Sequence, residues 1–166
     1  MKPPAGKRNL VIGLGSLLSR DDAFGLLVLD RLLQQKTDSL PDANFIQADT
    51  DLISQIDRFS QYSQVILIDT VLDPDGGLGH RGDVLAINED VLLTWPETSP
   101  SAHQFTPLMA VKLFRKLYPA ADTRITLVAY CTDRVVMGTS GSNALEDHII
   151  DAGVRLVRSL LSPQSP

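Results

Sequence analysis

Cysteine is nearly missing from this chain of 166 residues: there is one, Cys131, so no internal disulfide can form, and the composition fits a reducing cytoplasm. Basic runs are missing too. No stretch of Lys or Arg exceeds two residues and the formal net charge is −5. The concentrated positive surface by which a protein displaces counterions from nucleic acid is therefore not expected. Long apolar runs are also absent. The stretch from Leu10 to Leu18 is interrupted by Gly13 and Gly15 and followed by Asp21 and Asp22, unlike a secretory leader. No other segment approaches the ~20 apolar residues that span a bilayer. A soluble cytoplasmic protein, with neither nucleic acid nor membrane as partner, is the expectation.

What is present is ordinary for a globular protein: 43% hydrophobic and 21% charged residues. The length suits one domain over residues 1–166, with a core from about residue 9 to 161 and loose Pro- and Ser-rich ends at 1–6 and 162–166. Strand-like and helix-periodic segments alternate. Strands are expected at Asn9–Ile12, Asn44–Gln47, Gln64–Ile68 closed by Asp69, Asp83–Ile87 and Arg124–Ala129. Helices are expected at Asp22–Leu33, at Leu52–Phe59, from Pro107 with a stripe of Met109, Leu113 and Leu117, and from Asn143. In that last helix Glu146 would cap, and Leu145, Ile149, Ala152, Leu156 and Leu160 would face inward. The Pro- and Gly-rich loop Asp73–Gly82 leaves no room for a crossover helix, so the strand after it should run antiparallel to its predecessor. The pattern describes a three-layer α/β sandwich of the phosphorylase/hydrolase-like kind: a mostly parallel five-stranded sheet with one antiparallel strand and helices on both faces.

In such sheets ligands bind beyond the carboxyl ends of the strands, where strand order reverses. If the second and third strands flank the first, the loops at that point carry Asp21-Asp22 and Asp69. Taken alone, Asp22 is better explained as the acid of a capping box, Ser19-x-x-Asp22, and Asp69 equally well as a turn former. Facing each other, two carboxylates repel unless a cation lies between them or one keeps its proton. His103, one of three histidines, sits in a loop just before a helix and can reach such a cleft, although an exposed loop histidine is an equal reading. His80 reads as exposed, and His148 as paired with a neighbour such as Asp151. Gly13-Leu-Gly15 lacks the third glycine of a dinucleotide fingerprint, which is Leu18 here, and acids follow where a pyrophosphate would sit. Nothing adjacent in sequence would activate Cys131, which reads as a buried structural thiol.

Gly13-Leu-Gly15-Ser16-Leu17-Leu18-Ser19-Arg20-Asp21-Asp22-Ala23-Phe24-Gly25, the run Val65-Ile66-Leu67-Ile68-Asp69, and Ser101-Ala102-His103-Gln104 together resemble the hydrogenase maturation endopeptidases in order and spacing. The likeness runs from about Leu10 to Leu161. It implies a cytoplasmic endopeptidase that removes a C-terminal extension from the nickel-loaded precursor of a nickel–iron hydrogenase large subunit. Asp22, Asp69 and His103 are then both metal ligands and catalytic residues. The metal is nickel, brought by the substrate or resident, with zinc or cadmium able to substitute. Metal-assisted hydrolysis and an aspartic-type acid–base pair both stay open.

One residue and one turn depart from the family pattern. Ser16 replaces the usual Asn, and the turn Gln47-Ala48-Asp49-Thr50 replaces D-G-G-T, placing Asp49 and Thr50 where the precursor would touch. The oligomeric state is open, with a monomer as the working expectation. The rival readings are a non-catalytic, metal-dependent assembly chaperone on the same fold and an α/β hydrolase using Cys131.

Overall fold

The computed structural model describes residues 9–35, 42–73, 75–95, 106–134 and 144–162. The elements follow in the order β1 (Asn9–Leu14), α1 (Phe24–Gln34), β2 (Ala43–Asp49), a 3-10 turn (Ile53–Gln55) continuing into α2 (Ile56–Phe59), and β3 (Gln64–Leu72). After these come β4 (Val84–Asn88), α3 (Glu89–Thr94), α4 (Pro107–Leu117), β5 (Arg124–Thr132) and α5 (Asp147–Leu161). The five strands form one sheet in the order β2-β1-β3-β5-β4. All pairings are parallel except that of β4 with β5. This is the expected α/β fold. The antiparallel strand lies beside β5, however, because β5 inserts between β3 and β4.

Period-2 alternation divides the core into two layers. Leu10, Ile12, Leu14, Val65, Leu67 and Leu127 face α2 and α4, meeting Ile56, Phe59, Val111 and Phe114. Val11, Ile66, Ile68, Val128 and Tyr130 face α1 and α5, meeting Phe24, Val28, Ile150 and Val154. Among the described residues, no helix is long and apolar enough to cross a membrane.

Several elements differ from the sequence expectation. β3 does not end at Asp69 but runs on to Leu72, because β5 keeps pairing with it through Leu72↔Thr132. α3 was not expected. It follows β4 directly and is tied to α4 by Arg115, whose guanidinium donates to both carboxylate oxygens of Glu89 and to the carbonyls of Ala121 and Thr123. α4 starts at Pro107 as expected, with Thr106 Oγ1 accepting from the Met109 N–H at 3.2 Å. Its buried face is Leu108, Ala110, Val111 and Phe114, while Met109 and Leu117 of the expected stripe are exposed. α5 begins at Asp147, after Glu146, with no side-chain cap; Asn143 lies outside the described residues. Its inner face is Ile149, Ile150, Gly153, Val154, Val157 and Leu161, and Ala152, Leu156 and Leu160 flank it half-buried. Gly153 sets that face: a Cβ there would lie 2.6 Å from Val28 Cγ2, so α1 and α5 approach along it.

The tightest approach of a helix to the sheet is at Gly25, in the first turn of α1. A Cβ there would overlap the carbonyl oxygens of both Leu14 and Ile68, where the pairing of β1 with β3 ends. Both carbonyls belong to strands of the sheet and have little room to move. Gly25→Ala should therefore destabilise by about 1–3 kcal/mol or more, measured by chemical denaturation. Gly82→Ala, where φ is +96 but nothing lies within 4 Å, should cost only about 1 kcal/mol of backbone strain. Equal losses for the two variants would contradict the packing role of Gly25.

Candidate functional site

The strand order β2-β1-β3 puts the reversal between β1 and β3, as required for a crevice at their carboxyl ends. The pairing of β1 with β3 ends at Gly13↔Ile68, so Asp69 is the first residue of β3 beyond that ladder. It continues the face of Val65 and Leu67, the side covered by α4. α4 leads back to the start of β5, so its N-terminus lies at this same carboxyl edge of the sheet. The segment before it includes His103, which lies outside the described residues together with Ser101 and Gln104.

The turn leaving β1 is built from backbone bonds. Gly15, at φ +119, donates its N–H to the Asp49 carbonyl at 2.8 Å. The Ser16 N–H donates to the Asp22 carbonyl at 3.1 Å, and the Ala23 N–H to the Ser19 carbonyl at 3.0 Å. A Cβ on Gly15 would overlap that Asp22 carbonyl, so glycine is needed for both conformation and space. Ser16 Oγ accepts from the Leu18 N–H at 3.2 Å, so the hydroxyl at this departure from the family pattern closes its own turn.

The capping box does not form. α1 begins at Phe24 after Ala23 with no side-chain cap, which leaves Asp22 outside the helix. The two acids of the dipeptide separate: Asp21 is buried, whereas Asp22 keeps partial exposure. Asp21 accepts at Oδ1 from the Tyr130 hydroxyl at 3.5 Å.

Asp22 and Asp69 are electrostatically coupled. Burial pushes the Asp22 carboxyl above the ordinary carboxylate range, with the Ser16 N–H pulling the other way. Asp69 is raised to about 8, first by burial and then by the negative charge of Asp22, against one N–H bond from Thr70 to its Oδ1 at 2.8 Å. Residue 69 as a whole keeps some surface, but its carboxyl group is closely surrounded by protein, and that sets its pKa. At neutral pH the pair therefore holds a proton or needs a cation. Two hard oxygen donors suit a divalent ion with positions left open for an imidazole, water or carbonyl. Among the described residues no group of three or more His, Cys, Asp or Glu converges, so a complete donor set needs a ligand from elsewhere.

The other singled-out residues are placed apart from this pair or at its rim. Asp49 and Thr50 are exposed at the carboxyl end of β2. Asp49 adopts φ +49, the one non-glycine residue with positive φ among the described residues, so the turn keeps a glycine-like conformation on an Asp. His80 is exposed and hydrogen-bonds Asp83 through its backbone N–H. His148 lies 3.2 Å from Glu146, not beside Asp151, which instead pairs with Arg31. Cys131 is buried, and desolvation with Asp73 and Asp83 pushes its thiol to about 11. Sequence reasoning missed Asp73. Although burial acts to raise it, backbone N–H groups of Leu78, Gly77, Gly79 and Gly76 outweigh that, and its carboxyl falls below the ordinary range. Its position opening a Gly-rich loop was the available signal.

Two outcomes follow. A carboxyl raised in the folded state binds more protons than in the unfolded chain, so stability falls as pH rises from about 4 toward 8. In metal-free protein, Asp69→Asn should remove that slope and raise the melting temperature by several degrees at pH 8 but not at pH 4, read by calorimetry. Native Cys131 should resist iodoacetamide at pH 7, since a thiol near 11 leaves only about one thiolate in ten thousand; rapid labelling would contradict its burial.

No family model matches the sequence, and no curated protein does. Solved structures do match. A hydrogenase maturation protease, HycI from Thermococcus kodakarensis, superposes with a TM-score of 0.66 at 18% identity, over 95% of this chain and 92% of its own. The hydrogenase maturating endopeptidase HybD from E. coli gives 0.69 at 16% identity, over 93% and 91%. A hydrogenase 2 maturation peptidase from a Thaumarchaeota archaeon gives 0.60 at 24% identity, over 95% and 100%. Strand order, the reversal between β1 and β3 and near-complete coverage together establish that this chain has the fold of the hydrogenase maturation endopeptidases.

Proposed function

We propose that this protein is a cytoplasmic endopeptidase that removes a C-terminal extension from the nickel-loaded precursor of a nickel–iron hydrogenase large subunit. The observation that carries the reading is the coupled pair Asp22–Asp69 at the topological reversal, on a fold shared with maturation proteases. Asp22, Asp69 and His103 are the proposed ligands of the client's nickel. Asp49 and Thr50, at the adjacent end of β2, are the proposed contacts to the precursor chain.

The chain's own groups suit peptide hydrolysis. Without a metal, the Asp69 carboxyl, raised to about 8, keeps its proton at neutral pH and can give it to a leaving amine, with Asp22 as the partner that accepts one from water; as a metal ligand Asp69 would give up that proton instead. A metal ion, when bound, supplies charge that polarises a carbonyl. Asp22 and Asp69 would hold the cation in place of the proton that Asp69 otherwise keeps, so client nickel would stabilise the loaded complex over the empty one with release of that proton. That differential gives a physical basis for checking the client before cutting it.

Incubation with nickel-loaded precursor, followed by mass spectrometry, should show loss of a C-terminal peptide, and the metal-free precursor should stay intact. Equal cleavage of both would overturn the nickel check, and client binding without shortening would favour a chaperone. Asp69→Asn should fold and process at least about 100-fold more slowly. Asp49→Gly should preserve folding, since glycine accepts φ +49, while changing which precursor is processed; unchanged preference among precursors would remove residue 49 from recognition.

A further inference from the structure

The two acids of the pair sit on different segments: Asp22 on the turn after β1, Asp69 on β3. One residue bonds to both segments. Thr70 gives its backbone N–H to Asp69 Oδ1 at 2.8 Å, and its side-chain hydroxyl donates to the main-chain carbonyl of Asp21, next to Asp22. Because side chains alternate along a strand, the Thr70 side chain lies on the α1 face and that of Asp69 on the α4 face. The hydroxyl can therefore grip the turn without competing for the carboxylate. Opposite Thr70 in the β3–β5 register stands Tyr130, whose hydroxyl donates to Asp21 Oδ1 at 3.5 Å. Adjacent strands thus hold Asp21 by its main-chain and side-chain oxygens, and Asp22 follows directly in the chain.

We propose that Thr70 is a positioning residue, its hydroxyl fastening the Asp22-bearing turn to the strand that carries Asp69, so that the two carboxylates keep one fixed separation. A cation or a shared proton between two carboxylates tolerates little error in that separation, and partners one step removed from the ligands commonly carry about 10–100-fold in metal affinity. The proposal rests on the proposed function only in taking that pair as the working site.

Two variants test it. Thr70→Val keeps the branched shape and the backbone N–H but loses the hydroxyl. The Asp21 carbonyl is not orphaned by this, because it also accepts from the Phe24 N–H at 3.4 Å. Thr70→Ser keeps the hydroxyl. Amide hydrogen exchange should show residues 16–23 opening about tenfold faster in Thr70→Val, the loss of roughly one hydrogen bond, with β3 and β5 unchanged and Thr70→Ser near wild type. Calorimetric titration with cadmium should show affinity falling about 10–100-fold in Thr70→Val and recovering in Thr70→Ser. Wild-type exchange in Thr70→Val would overturn the proposal, as would loosening spread evenly over the sheet or a Thr70→Ser no better than Thr70→Val. A wild type that binds no cadmium would sink the metal reading of the pair, and the exchange measurement would then decide the role of Thr70 by itself.

Discussion

The architecture depends on one steric constraint: the backbone of α1 lies directly against the carboxyl ends of β1 and β3. Gly25 meets the carbonyls of Leu14 and Ile68 where a methyl group cannot fit, and a Cβ on Gly13 would come within 2.7 Å of the Gly25 carbonyl. This contact fixes the height at which the helix starts, and hence the length of the turn left over between Gly15 and Ala23. That turn cannot extend α1 backward, so Asp22 is left outside the helix. Its carboxylate couples to that of Asp69 instead of serving the helix terminus. A glycine pair placed for packing thus determines where Asp22 stands relative to Asp69.

Charge then divides three aspartates of similar sequence appearance. Asp73 gathers backbone N–H groups from its own loop and is held ionised. Asp69 receives one such bond, sits beside another acid, and is driven toward its neutral form. Asp22 is raised by burial. The difference lies in the supply of donors: the loop wraps several N–H groups around Asp73, whereas Asp69 inside its strand receives, among the described residues, only that of Thr70. The cost of holding Asp69 in this state falls on folding stability. Cys131, one strand away, carries a thiol raised by the same desolvation and is chemically quiet.

The sequence by itself determined the alternation of strands and helices, the five strands, the run ending at Asp69 and the crevice at the ends of the first and third strands. These depend on apolar periodicity and short-range steric rules, which a linear reading contains. It also marked both acids. What it left open was whether they cap and turn or face each other, because a capping box and a site acid share one pattern. Only the tertiary structure decided that, through the height at which α1 docks. Tertiary contacts also carried β3 past Asp69, since a strand ends where its neighbour stops pairing and not where its own apolar run stops. The frames of α4 and α5 shifted for a similar reason: both helices have apolar residues on more than one side, and the sheet selects which side is buried. The pKa of Asp69 lay furthest from the sequence, because desolvation and the charge of Asp22 act through space between segments 47 residues apart in the chain, by 69 − 22 = 47.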